Sequence, residues 1–259
     1  DQFKVMTVTH VDTSTAVGAD VQAIAALGQQ YGALVVVDGV CSVAGEKMQQ
    51  EDWGVDLALT ASQKAIGVPP GLALVVAGPR AIKSFRQRKA PVLNYYADWT
   101  QWLPIMEAYE ELRPSYYGTH PVNLILALNV SMVQILEEGM EARFRRHRWL
   151  SDALKAGIDA LGMSQVPVSP TKTATTLTAP YYPGGVDAAV LKQISQAGVI
   201  LAGGLHTEIK AQYFRIGHMG AVTPSDILTT VGAIEHGLAQ VGYEFEFGAG
   251  LAAAQEVLG

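Results

Sequence analysis

The chain has 259 residues, 49% of them apolar, and a formal net charge of -6. That is enough apolar sequence to bury one large core or two modest ones, which excludes a disordered chain. The mild acidity argues against nucleic acid as a partner, because a phosphate-backbone binder shows a basic face. Cys41 is the only cysteine, so no disulfide can form within the chain and an intracellular compartment is expected.

Asp1-Gln2-Phe3 leads directly into an apolar strand over 4–9, with no initiator Met and no leader-like segment, so the chain is expected to begin inside a domain. Residues 20–31 place Val21, Ile24, Ala25, Leu27 and Gly28 at helical spacing, with Asp20 suited to the N-cap and Gly32 to the stop. Leu34-Val35-Val36-Val37-Asp38 is a continuous apolar run ending in a carboxylate, the pattern of a strand covered on both faces. These three segments form a βαβ unit. Strands over 56–60 and 72–77 flank the loop 61–71, and a helix over 79–88 starts with Pro in its first turn. Alternating strands and helices predict an α/β domain with a mostly parallel sheet.

After Pro121 the character changes. A long apolar helix runs to about Glu138; Asn123, Asn129, Ser131 and Gln134 make it too polar and too short to span a bilayer, so it reads as a buried helix and no membrane is expected. Arg143-Phe144-Arg145-Arg146-His147-Arg148 follows Glu137, Glu138 and Glu141 in a basic amphipathic helix running to about Leu161, and reads as a solvated, ion-paired face. Strands over 174–179, 199–202 and 212–216 and helices over 187–197 and 224–240 predict a smaller α+β module. The division is therefore 1–138, part of a large domain, and 139–259, a small C-terminal domain.

Asp38 ends a buried strand, where open parallel sheets place their ligand crevice, although a turn carboxylate or helix cap is the other reading of that position. Lys64 lies between two apolar strands in a loop punctuated by Gly67, Pro69, Pro70 and Gly71. A lysine held in such a loop is a candidate for a desolvated amine suited to imine chemistry. A lysine with a strand-end carboxylate is what pyridoxal 5'-phosphate (PLP) needs: the amine bonds the cofactor and the carboxylate keeps its ring nitrogen protonated. Cys41 reads as a small buried apolar residue, and His10 as a packing or hydrogen-bonding residue at a strand end. His120, His147, His206, His218 and His236 show no metal-ligand spacing, so no metal is expected.

The segments Val37-Asp38-Gly39-Val40-Cys41-Ser42, Trp53-Gly54-Val55-Asp56 and Ser62-Gln63-Lys64-Ala65-Ile66-Gly67-Val68-Pro69-Pro70-Gly71 resemble the class V aminotransferases, within them the alanine–glyoxylate and serine–pyruvate enzymes. His10-Val11-Asp12-Thr13-Ser14-Thr15-Ala16-Val17, Tyr116-Tyr117-Gly118-Thr119-His120-Pro121 and Phe214-Arg215-Ile216-Gly217 extend the resemblance over essentially the whole chain. It implies fold type I of the PLP transferases, with Lys64 as the Schiff-base lysine and Asp38 as the partner of the ring nitrogen. Val40 would pack on one face of the ring, and Thr13 and Gln63 would hydrogen-bond its phenolic oxygen side or the ring edge. Arg215 would clamp the substrate carboxylate, its other reading being an interdomain ion pair. Tyr116 and Thr119 would reach the phosphate of a neighbouring subunit's cofactor, which implies a homodimer. The family's phosphate cup and ring-stacking aromatic precede the His10 segment and have no counterpart in the chain, and its Gly after Ser-Thr is Ala16 here.

The function so implied is transamination of alanine or serine with glyoxylate or pyruvate. Cysteine desulfurases of the same fold carry a His before the lysine and a later catalytic Cys, whereas here Gln63 precedes Lys64 and no cysteine follows. A phosphonate transaminase, or an inactive truncated chain serving as an interaction module, are the alternatives. The compartment stays open between cytoplasm and peroxisome; Glu256-Val257-Leu258-Gly259 is not a Ser-Lys-Leu-type address.

Overall fold

The computed structural model describes residues 3–259. Strand β1 (Val5–Thr9), helix α1 (Val21–Gln30) and strand β2 (Leu34–Asp38) form the expected βαβ unit. Asp20 caps α1 by accepting the Ala23 amide, and Gly32, at φ +68°, turns the chain out of it. β1 and β2 run parallel, with Thr9 opposite Asp38. β3 (Leu57–Ala61) continues the parallel sheet, with Asp38 opposite Leu59. β4 (Ala73–Ala77) returns antiparallel to β3, giving the order β1-β2-β3-β4. Val21 and Ala25 of α1 pack on Val35, Val37 and Ala58 of the sheet, closing one face.

Helix α2 (Pro79–Arg86) follows as expected. Helix α3 (Trp99–Glu110) was not legible in the sequence, because Pro104 interrupts its interior. Helix α4 (Val122–Glu138) corrects the expectation of a buried helix. Only Ser131 and Ile135 are buried, while Val122, Ile125, Leu126, Val130, Val133 and Leu136 are exposed. The helix touches this chain along one narrow stripe, where Ser131 Oγ donates to Ile66 O and Ile135 joins Ala44, Ala65 and Val68. No single helix among the described residues is long and apolar enough to cross a membrane.

At Gly139, φ +80°, the chain turns by 87° from α4 into α5 (Met140–Ala160). A second core gathers Leu150, Leu154 and Ile158 of α5 with residues of α6 (Val190–Gln196), α7 (Pro224–Gln240) and α8 (Ala249–Leu258). Its sheet is antiparallel, in the order β5-β7-β6, from β5 (Leu177–Thr178), β6 (Ala202–Gly203) and β7 (Phe214–Gly217). This is the smaller α+β part that the sequence predicts. Helix α8 was not predicted, since no residue of its own caps it; the buried Glu235 of α7 accepts the Gly248 and Leu251 amides instead.

The basic run needs a second correction. Arg145 and Arg148 are exposed, but Arg143 and His147 are buried and Arg146 is half-buried. Positions 143, 147, 150 and 154 share one stripe of α5, and that stripe faces inward. The ion pairing itself is present: Arg143 and Arg146 both bond Glu138, at 2.8 and 2.6 Å.

The Arg146 hydrogen bond, opposed by burial and helped by Arg143, holds Glu138 down at about 2. A folded-state value below the ordinary carboxylate range stabilises the fold above about pH 5, and that stabilisation is lost as pH falls toward the folded value. Glu138→Gln should therefore cost about 2 kcal/mol at pH 7, less than the full shift implies because the carboxylate is partly screened by solvent, and flatten the acid limb of the stability profile, as read from urea midpoints across that range.

Candidate active site

Because β1, β2 and β3 are parallel, their C-terminal ends share one edge, and the segments leaving them meet there. These are His10–Ser14, Asp38–Cys41 and Ser62–Lys64. Asp38 is half-buried, and its Oδ1 accepts the Val40 amide at 3.0 Å, folding back the turn that carries Val40. The turn is stitched to the next strand, since the Gly39 amide donates to Leu59 O (2.8 Å) and Thr60 Oγ1 donates to Gly39 O (3.3 Å).

The loop bearing Lys64 is closed by Ser62. Its Oγ donates to Pro69 O (2.8 Å) and accepts the Leu72 amide (3.2 Å), while Gly67 N donates to Lys64 O (2.9 Å). The loop is thus fixed, but Lys64 is half-buried rather than enclosed, and Gln63 is exposed. Among the described residues Lys64 forms no ion pair.

Thr13 sits against the Asp38 turn, its Oγ1 lying 3.0 Å from the buried Cys41 Sγ. Arg215 on β7 reaches across from the second sheet. Its Nη1 donates to Thr13 O (3.2 Å) and its Nε to Gly203 O (2.8 Å). The interdomain ion pair considered for Arg215 is replaced by these carbonyl contacts. Tyr213, buried just before β7, fastens the same turn: its hydroxyl donates to Ser14 O and accepts the Leu205 and His206 amides at 2.9 Å each. Sequence reading missed Tyr213. Its signal was position, two residues before Arg215 and so on the same strand face.

Tyr116 and Thr119 stand apart. Both are exposed, and their hydroxyls bond each other at 2.7 Å. The surrounding ring contacts, Tyr95 with Tyr117 and Trp102 with Tyr96, Tyr117 and His120, stay within the same surface segment. The chain thus brings Thr13, Asp38, Val40, Lys64 and Arg215 to one region and leaves Tyr116 and Thr119 in another.

His10 adds a buried polar atom at the strand edge. Its amide donates to Asp38 O (2.9 Å), its Nδ1 has no partner, and burial lowers its pKa, opposed by Glu46. Together these groups suit pyridoxal phosphate: a carboxylate for a protonated ring nitrogen, an amine on the neighbouring strand's loop, hydroxyl and amide donors, and an apolar residue beside them. No group of three or more His, Cys, Asp or Glu that could hold a metal occurs among the described residues.

Comparison with known proteins agrees with this composition of parts. The family model described as aminotransferase class-V matches residues 1–225. Alanine–glyoxylate aminotransferase 1 of Saccharomyces cerevisiae is 40% identical over 228 residues, covering 85% of this chain and 58% of that protein. Among solved structures, pyridoxamine–pyruvate aminotransferase from Mesorhizobium loti aligns with a TM-score of 0.90 and 30% identity, over 98% of this chain and 64% of its own. Ureidoglycine–glyoxylate aminotransferase from Bacillus subtilis aligns with a TM-score of 0.88 and 28% identity, over 98% and 65%. The chain spans less than two thirds of the length of each of these proteins. Its fold is that of the fold type I PLP transferases, and the chain belongs to the class V aminotransferase family.

Proposed function

We propose that this chain supplies the lysine, the ring-nitrogen carboxylate and the substrate clamp for transamination of alanine or serine with glyoxylate or pyruvate. The observation that carries the reading is that Asp38, at the end of β2, and the Lys64 loop, which leaves the neighbouring parallel strand β3, share one sheet edge with Arg215, which the second sheet extends to the Thr13 turn. Pyridoxal phosphate, when bound, supplies an electron sink that lets an amino group pass between carbon skeletons. Asp38 would keep its ring nitrogen protonated, Val40 would lie against the ring, and Thr13 and Gln63 would donate to its phenolic edge. Lys64 would carry the cofactor and, once displaced by the amino acid, move a proton at the substrate's α-carbon as base and then acid.

Arg215 spends two N–H groups on the carbonyls of Thr13 and Gly203. The rest of its five donors remain for a carboxylate, and the two carbonyls fix the plane of the fork. Tyr116 and Thr119, exposed and hydrogen-bonded to each other, suit a site completed across two copies of the protein. The apolar outer face of α4 supports such a homodimer, since Leu126, Val130 and Val133 lie open on it.

An absorption titration with PLP tests the reading. A band that depends on Lys64, bleaches with alanine and returns with glyoxylate is expected. Lys64→Ala should abolish it while changing stability by no more than about 0.5 kcal/mol. Absence of the band, or its survival in Lys64→Ala, overturns the reading. Arg215→Gln should raise the alanine concentration needed for bleaching about 10- to 100-fold, with little change in PLP affinity. For the homodimer, Leu126→Glu should convert a dimer to a monomer in sedimentation velocity, whereas an unchanged sedimentation coefficient would remove α4 from the interface.

A further inference from the structure

The junction of α4 and α5 holds polar groups that the proposed reaction does not use. Arg143, 6% exposed, lies across the two turns that carry the site. Its Nε donates to Ala44 O at 2.7 Å, at the end of the turn that begins at Asp38, and its Nη2 donates to Ala65 O, the residue after Lys64. Its remaining nitrogen takes Glu138. Ala44 holds φ +69°, a left-handed conformation that a residue with a β-carbon adopts when its surroundings fix it.

The same junction reaches the loop after β7. Arg146 donates to Gly220 O (3.0 Å) and Val222 O (2.9 Å), and the Gly220 amide donates to His147 Nε2 at 3.0 Å. An amide can only donate, so Nε2 is unprotonated and Nδ1–H donates to Arg143 O (2.8 Å). Burial holds the ring down at about 4, with the bond to Arg143 O opposing and Arg146 and Arg143 adding to the effect. Gly220 rests on the lysine turn: a β-carbon there would lie 3.5 Å from Ala65 O and 3.7 Å from Lys64 O.

We propose that Arg143 is a positioning residue for Lys64. It sets the lysine turn against the Asp38 turn and, through Glu138, Arg146 and His147, against the loop that follows the Arg215 strand. The proposal rests on the reading of Lys64 and Asp38 given above. A guanidinium suits the task because its planar fork spans carbonyls of different loops, which a single ammonium cannot do.

The test uses Arg143→Lys, with the exposed Arg145→Lys as control, in the protein titrated with PLP. Hydrogen exchange should quicken in 39–46, 62–68 and 218–222 but not in α1 or α7. PLP affinity should fall about 100-fold, and the pH midpoint of the Lys64-dependent band should move; Arg145→Lys should match wild type throughout. Wild-type affinity and pH midpoint in Arg143→Lys would overturn the proposal, as would exchange that quickens uniformly. If wild type forms no Lys64-dependent band, the functional reading fails, and the exchange pattern alone decides whether Arg143 fixes these turns. Should Arg143→Lys not fold, Arg146→Lys at its half-buried position takes its place, with loosening in 218–222 expected and its absence overturning the coupling.

Discussion

The parallel pairing of β1, β2 and β3 is the constraint on which the rest depends. With Thr9 opposite Asp38 and Asp38 opposite Leu59, the three strands end within a residue or two of one another. Neighbouring strands lie about 4.8 Å apart, so turns leaving adjacent ends are within side-chain reach. An antiparallel β2 would send Asp38 to the opposite edge from Lys64. β4 can be antiparallel because it carries no site residue; its role is to close the 62–72 loop against β3.

The second constraint is that the two cores must hold a fixed relation at the site. The small sheet offers Arg215 from β7, but a strand of four residues could seat it in several ways. Tyr213 removes that freedom from one side, with three hydrogen bonds on one hydroxyl that tie β7 to the Ser14 turn and to the 205–206 backbone. The α5 junction removes it from the other. Thr176 Oγ1 donating to Cys41 O (2.6 Å) adds a third tie, from beside β5 to the Asp38 turn. Arg215 therefore inherits its position from contacts made on both sides of the seam.

Most of the sheet and its helices were legible because their signals are local. A β-branched run bounded by Asp38, a capped amphipathic segment and a Gly-Pro-punctuated loop each point to one structure. What escaped was set by tertiary contacts. α8 is capped by Glu235 from another helix, and α3 contains Pro104. α4 was read as buried because its composition is apolar, yet composition does not say what covers a face. The Arg143 run misled in the opposite sense: charge suggested solvent, while the spacing of 143 and 147 with Leu150 and Leu154 already placed two polar residues on the inward stripe. At the site, Asp38, Lys64 and Arg215 stand out in the sequence through strand ends and motifs, but no local pattern announces that the Tyr213 hydroxyl will donate to the carbonyl of Ser14, far back in the chain.

The charge balance at the α4–α5 junction explains why so polar a group sits in that seam. Two guanidiniums share one carboxylate and His147 is neutral, which leaves one net positive charge. The carbonyls of Ala44, Ala65, Gly220 and Val222 meet it with the negative ends of their dipoles. A buried ion pair contributes little net stability, because desolvation consumes most of the Coulombic gain, and apolar residues of similar volume would hold the seam about as firmly. They would not choose among relative placements, since apolar contact is non-directional. Four carbonyls from three separate turns satisfy these donors in one arrangement only. The junction thus gains, at about the stability that simple packing would give, a single setting of the Asp38, Lys64 and Arg215 segments.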